Sequence, residues 1–227
     1  SSELRKIVGS LLYVANNTRP DISAAVDILS QRVAKPRKLD MNEALRVVRY
    51  LVSTKNNSLK MYDKGSKDDL VAYSDSDWAE CRETRKSISG MICKVFGGSV
   101  SWSSRKQDVV AMSTTEAEFY ALAEGVKELL WLKMLLKDFD VCLEGPLIIH
   151  SDNQSTIKLL ENPKFSARLK HIDCRLHSVR DYVQKKILRI FYVPTAENIA
   201  DLLTKPLAGT KIKVLSELVG LFNPKSN

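Results

Sequence analysis

The sequence predicts an α/β fold with five strands, preceded by a small helical segment. Three observations carry this prediction. Residues 1–63 place their apolar side chains at helical spacing. From residue 68 onward, short apolar runs alternate with amphipathic helices in the order β-β-β-α-β-α-α-β-α. Between the two regions lies "DKGSKDD", a polar and turn-rich stretch that marks a boundary.

In the helical segment, Leu4, Ile7, Val8, Leu11 and Leu12 form a first apolar stripe. "NNTRPD" breaks the chain, with Pro20 suited to the first turn of a new helix and Asp21 favourable at its N-terminus. Ile22, Val26, Leu29 and Val33 face that helix inward. After "KPRKLD", Asp40 is the expected cap of a third helix carrying Leu45, Val48, Leu51 and Val52. Beyond the boundary, "LVAYSD" is a short strand. "SISGMICKVF", Gly97-Gly98 and "SVSWSS" form a hairpin with the glycine pair as its turn. A long helix follows "MSTTEAE", "PLIIHSD" is a buried strand, and "NQSTIKLLEN" is a helix that stops at Pro163. "KHIDCRLHSVRDYVQKK" is a further helix, "ILRIFYVP" a strand, and "ENIADLLTKPL" a closing helix. Ile212, Val214, Leu215 and Leu218 predict one more helix in the tail. The expected organisation is 1–63, 68–207 and a helical tail over 208–227.

The 227 residues suffice for one large domain, or one medium domain with an appendage. Hydrophobic content of 44% and charged content of 27% are ordinary for a soluble globular protein. A formal net charge of +8 favours a polyanionic partner. No apolar run is long enough for a membrane span and no signal-peptide pattern is present. The Ser-Ser start reads as a fragment or a processed piece. Cys81, Cys93, Cys142 and Cys174 are scattered without a CxxC pair, so the expectation is reduced intracellular thiols and no zinc.

Four carboxylates stand out. Asp75 ends the first strand, in "YSDSDW", and Asp77 follows two residues later. At about 100° per residue, Glu118 shares a helix stripe with Leu122, Gly125, Leu129, Leu132 and Leu136. A buried carboxylate there needs a cation or a hydrogen-bonding pocket, unless it sits at the stripe's end and reaches water. Glu116, by contrast, has a capping-box role with Ser113. Asp152 ends a later strand; it is either a helix N-cap or a ligand at the carboxyl edge of the sheet. Asp201 lies in the closing helix, where Lys205 four residues on offers an ordinary surface pair. Together the four can converge on one sheet edge. Hard oxygen ligands favour magnesium, and two such ions roughly 3.5–4 Å apart would serve phosphodiester hydrolysis.

"YSDSDWAECRETRKSISG", "SWSSRKQDVVAMSTTEAEFYAL", "HSDNQSTIKLL", "KHIDCRLHSVRD" and "ENIADLLTKPL" resemble the ribonuclease H segment of copia-type LTR retrotransposon Pol polyproteins. "VGSLLYVANNTRPDISAAV" resembles the stretch just after the reverse-transcriptase catalytic core, so the resemblance covers essentially the whole chain. It implies a ribonuclease H-like five-stranded mixed sheet flanked by helices. It implies four metal-binding catalytic carboxylates at Asp75, Glu118, Asp152 and Asp201, two Mg²⁺ ions (or Mn²⁺), and cleavage of the RNA strand of an RNA·DNA hybrid. Ser113, Thr114 and Gln154 match positions that contact the nucleic-acid backbone and groove. Arg105 and Lys106 are phosphate contacts or a solvated turn. The other implied partner is the remainder of the Pol polyprotein, in a cytoplasmic virus-like particle or the nucleus.

Two departures qualify the resemblance. The loop "VPTAEN" lacks the histidine that cellular ribonucleases H carry before the last aspartate, and the paired-aspartate motif of the polymerase is absent. His171 and His177 sit on the preceding helix instead and are left off the site. The carboxylate order separates this chain from transposases with a terminal glutamate and from exonucleases with D-x-E in the first strand. The rival reading is a domesticated or decayed module that binds nucleic acid or a protein without cutting. Asp77, one step into the turn, is expected to play a capping or screened surface role.

Overall fold

The computed structural model describes residues 2–66, 68–78, 84–162 and 173–225. Helices α1 (Ser2–Asn17), α2 (Ser23–Ser30) and α3 (Lys38–Ser53) build the first segment. Leu4, Val8, Leu29 and Ala44 form one apolar cluster, and Leu11, Ala15, Ile22 and Val26 another. The break at "NNTRPD" is a 3₁₀ turn, Pro20–Ile22, held by a buried polar network. Arg19 donates to both Asp21 oxygens at 2.9 and 2.7 Å, and the Tyr50 hydroxyl donates to Asp21 Oδ2 at 2.7 Å. Arg19 also reaches Thr54 Oγ1 at 2.7 Å. A buried ion pair survives where its remaining protons and lone pairs find partners. Asp40 differs from expectation. Helix α3 starts at Lys38, so Asp40 sits inside the first turn, where its carboxylate accepts from the Arg37 amide at 2.7 Å. Arg32 and Arg37, each 3.3 Å away, draw it inward.

The central sheet comprises β2 (Leu70–Asp77), β3 (Ile88–Val95), β4 (Gly98–Lys106), β5 (Leu147–Ser151) and β6 (Leu188–Tyr192). A two-residue strand, β1 (Ser58–Leu59), precedes them. The order across the sheet is β4-β3-β2-β5-β6. β2, β3 and β4 are antiparallel neighbours, whereas β5 and β6 continue β2 in parallel. This is the mixed, ribonuclease H-like arrangement. The hairpin turn centres on Phe96 and Gly97, both at positive φ, and Gly98 already pairs with Val95. The turn therefore falls one residue earlier than the glycine pair suggests, because two central residues at positive φ match the twist of the flanking strands.

Helix α4 (Thr114–Asp138) lies on one face of the sheet, with α5 (Gln154–Glu161) and α6 (Asp173–Gln184). Phe119, Leu122, Val126 and Leu129 pack there against Ala72, Ile149, Leu160 and Leu176. The start of the "KHIDCRL" segment, including His171, lies outside the described residues. The other face is covered by a 3₁₀ helix, Ile199–Leu203, and by α7 (Gly209–Val219). Ile199, Leu202, Leu203, Leu215 and Val219 form its core with Ile92. The closing helix is thus 3₁₀ rather than α where Asp201 sits. Its tight winding suits the close approach to β3 at Gly90, where a Cβ would fall 2.7–2.9 Å from Thr204 Cγ2, Ala200 O and Leu203 Cβ. The tail ends in β7 (Leu221–Phe222), which pairs antiparallel with β1. The helical segment docks on the same side: Trp102 Nε1 donates to the Ala15 carbonyl at 2.8 Å.

Candidate active site

Strand register brings the first two carboxylates together. Ser74 in β2 pairs with Ser151 in β5, so Asp75 and Asp152 each follow one member of a matched pair on adjacent parallel strands. Glu118 reaches them from α4, on the stripe that also buries Leu122, Gly125, Leu129 and Leu132. Asp75, Glu118 and Asp152 each offer an oxygen within 4.8 Å of the others.

Each is held differently. Thr204 Oγ1 donates to Asp75 Oδ2 at 2.5 Å, and Asp75 is only 2% exposed. The Ser76 amide donates to Glu118 Oε1 at 3.3 Å, while Glu118 Oε2 is buried with no partner among the described residues. Thr195 Oγ1 donates to Asp152 Oδ2 at 2.7 Å. Asp152 does not cap α5; Asn153 does, accepting from the Thr156 amide at 2.9 Å. The strand's carboxyl edge leaves Asp152 pointing at the cluster and gives the cap to the next residue.

Asp201 lies outside the group of three. It is fully buried, with Lys205 Nζ 2.6 Å from Oδ1 and Lys211 Nζ donating to Oδ2. Lys205 also lies 3.8 Å from Asp75 Oδ2. The pair with Lys205 expected from the i,i+4 spacing is present, but on a buried carboxylate and not at the surface.

The electrostatics follow the geometry. Burial, and then the Asp201 charge, push the Asp75 carboxyl up to about 7. Burial, and then Asp75 and Asp152, push Glu118 up to about 9. Burial alone would raise Asp201 as well, but hydrogen bonds from Lys205 and Lys211 outweigh it and hold Asp201 below the ordinary carboxylate value. Two carboxyls that resist ionising beside a third, with one buried oxygen unpartnered, fit a divalent cation. Three hard oxygen donors without His or Cys match magnesium or manganese.

The remaining expected residues surround this cluster or lie off it. Ser113 caps α4 by accepting from the Glu116 amide at 3.2 Å, and Glu116 Oε2 accepts from the Met112 amide at 2.8 Å. Thr114 and Gln154 are exposed at the starts of α4 and α5. Arg105 is exposed near the end of β4, but Lys106 turns toward α2, 3.4 Å from Gln31 Oε1. Asp77 is not in the turn. It is the last residue of β2, is buried, and accepts from the Ile88 amide, tying β2 to the start of β3. Nothing in the sequence marks Thr195, Thr204 or Lys211 as part of the site. Hydroxyls and a tail lysine carry no periodic signal, and only the fold shows whom they meet.

The sheet order defines a ribonuclease H-like fold. No family model matches the chain. It is 40% identical over 220 residues to a retrovirus-related Pol polyprotein of an Arabidopsis thaliana transposon, matching 97% of this chain. A tobacco (Nicotiana tabacum) transposon Pol polyprotein is 39% identical over 214 residues, 94% of this chain. The chain belongs to the family of copia-type retrotransposon Pol polyproteins, and spans 15% and 16% of the length of these two relatives. A secreted RxLR effector protein of Plasmopara viticola is 46% identical over 125 residues, 55% of this chain and 87% of that protein. Among solved structures, a foamy viral protease–reverse transcriptase in complex with double-stranded DNA is similar at TM-score 0.50 and 15% identity, over 86% of this chain and 32% of that one. At that identity the likeness concerns the fold alone.

Proposed function

We propose that this chain is a metal-dependent endonuclease that hydrolyses the RNA strand of RNA·DNA hybrids during retrotransposon reverse transcription. The observation that carries the reading is the group of three carboxylates within 4.8 Å, with Glu118 Oε2 buried and without a partner among the described residues. Asp75, Glu118 and Asp152 would hold a Mg²⁺ or Mn²⁺ ion, and Asp201 beside Asp75 would complete a second site. Bound magnesium supplies positive charge for activating a water and for stabilising the leaving oxygen of a phosphodiester.

The chain's own residues set the geometry for this. Thr204, the Ser76 amide and Thr195 each fix one carboxylate, so little ordering remains when a cation arrives. Arg105, Ser113, Thr114 and Gln154 are the proposed contacts to phosphate and sugar, with Lys106 a weaker one because its ammonium is engaged toward α2. A 2′-hydroxyl is what distinguishes the RNA strand at such contacts. In the whole polyprotein the partner is the remaining reverse transcriptase, in a virus-like particle or the nucleus. No helix among the described residues is long and apolar enough to cross a membrane.

A second reading is a module that binds without cutting. It is kept because a relative of a different description, the secreted effector protein, aligns over 87% of its own length with 55% of this chain. One assay separates the two. The purified chain is incubated with a labelled hybrid, a DNA duplex or an RNA duplex, with Mg²⁺ or with chelator. Cleavage confined to the RNA of the hybrid and abolished by chelator supports the nuclease. Binding of the hybrid without cleavage in Mg²⁺ or Mn²⁺ supports the second reading.

A further inference from the structure

Helix α7 of the tail (Gly209–Val219) reaches Asp201, beside the carboxylate cluster. Helix α7 packs Leu215 and Val219 against Ile199, Leu202 and Leu203 of the 3₁₀ helix that carries Asp201. From the first turn of α7, Lys211 donates to Asp201 Oδ2, while Lys205 sits 2.6 Å from Oδ1. A single buried carboxylate therefore faces two ammonium groups. Lys205 is shared with Asp75, whose Oδ2 it approaches within 3.8 Å, so two carboxylates meet two ammonium groups here and Lys211 offsets negative charge that would otherwise face a cation.

The helix bearing Lys211 is firmly placed. Ser99 Oγ donates to the Val219 carbonyl at 2.7 Å, Lys94 Nζ to the Leu218 carbonyl at 2.9 Å, and the Lys60 amide to the Gly220 carbonyl at 2.8 Å. The β1–β7 pair closes the end. The Lys211 side chain is 31% exposed, so its ammonium is not forced onto Asp201 by burial. A lysine that can reach water yet faces an internal carboxylate is placed by its scaffold.

We propose that Lys211 is a positioning residue of the nuclease: it fixes Asp201 toward Asp75, and its charge opposes cation uptake on that side of the cluster. The C-terminal helix is thereby a functional part of the site. This rests on the nuclease reading above.

The test uses the full chain, its Lys211→Met variant and its Lys211→Arg variant. Mn²⁺ binding is followed by electron paramagnetic resonance of the free ion, alongside hybrid cleavage and thermal melting. Removing a unit charge near a divalent ion predicts Mn²⁺ binding about threefold to tenfold tighter in Lys211→Met. Loss of one of Asp201's two anchors, with Lys205 retained, predicts kcat about threefold to tenfold lower with KM unchanged. Lys211→Arg restores both. A purely structural lysine would lower the melting temperature while leaving Mn²⁺ affinity and kcat where they were, and that result overturns the proposal. If Lys211→Met does not fold, Lys211→Gln, which keeps a polar side chain without the charge, replaces it under the same criteria. A wild-type chain that takes up no Mn²⁺ and cuts no hybrid defeats the nuclease reading itself; a wild type that does both, with an indifferent variant, defeats only the role of Lys211.

Discussion

At the scale of single residues, Asp75 and Asp77 have opposite duties although they lie two apart on one strand. Asp75 faces Glu118 and Asp152, whereas Asp77 closes the β2–β3 connection through the Ile88 amide. Asp75→Asn is expected to abolish metal-dependent cleavage without loss of fold. Asp77→Asn is expected to keep most cleavage and to melt earlier, since an amide oxygen accepts less strongly than a carboxylate. Parallel kinetics and melting curves check the pair; equal loss of activity in both would mean the strand register at the site is misread. A pH dependence follows from the same residues. Asp75 keeps its proton up to about 7 and Glu118 up to about 9 in the fold, against roughly 4 in an unfolded chain. The ion-free folded state thus binds more protons across roughly pH 4 to 9, so its stability falls as pH rises through that window. Melting curves without metal should show this decline, Glu118→Gln should flatten it, and Mg²⁺ should restore stability at its alkaline end.

At the scale of elements, the 3₁₀ helix Ile199–Leu203 is the piece on which the site depends. It is gripped by β3, by α7 and by the Pro20–Ile22 turn of the helical segment. Asn198 starts it by accepting from the Ala200 amide at 3.2 Å and holds it to the sheet by donating to the Ser74 carbonyl at 2.9 Å. Gly90→Ala inserts a methyl within 2.7–2.9 Å of three of its neighbours, one of them the Ala200 carbonyl oxygen. Overpacking of this kind costs about 1–3 kcal/mol and shifts backbone. The expected result is lower stability in urea together with weakened cleavage, because Asp201 moves with the helix. Asp21→Ala leaves the Arg19 guanidinium buried without its bidentate partner. A loss of about 3–5 kcal/mol is expected, measured by denaturant unfolding.

Legibility differed by element for physical reasons. The strands and α4 were readable because burial on a face imposes a period, and Glu118 was conspicuous because it broke that period. Asp152 had two readings in the sequence, and the structure gives the capping one to Asn153. Asp201 was the least distinct: a short 3₁₀ helix has no period to break, and its lysine partner at i,i+4 looked like a surface pair. Lys211 was invisible, since nothing local ties a tail lysine to a carboxylate ten residues earlier.

At the scale of the whole molecule, the net charge of +8 is an argument about substrate. Phosphate contacts release counterions, so hybrid affinity should fall steeply between about 50 and 200 mM salt. Arg105→Ala should weaken binding and reduce the salt slope by about one contact, with a smaller change for Lys106→Ala. Binding isotherms across a salt series check both. Asp75, Glu118 and Asp152 are together proposed to hold a divalent cation. Crystals grown with Mn²⁺ and measured at the manganese absorption edge test it most directly. The expected result is an anomalous peak among the three carboxylates, at about 2 Å from one oxygen of each. Clear density for all three side chains with no peak between them, or with the ion bound elsewhere, would contradict it.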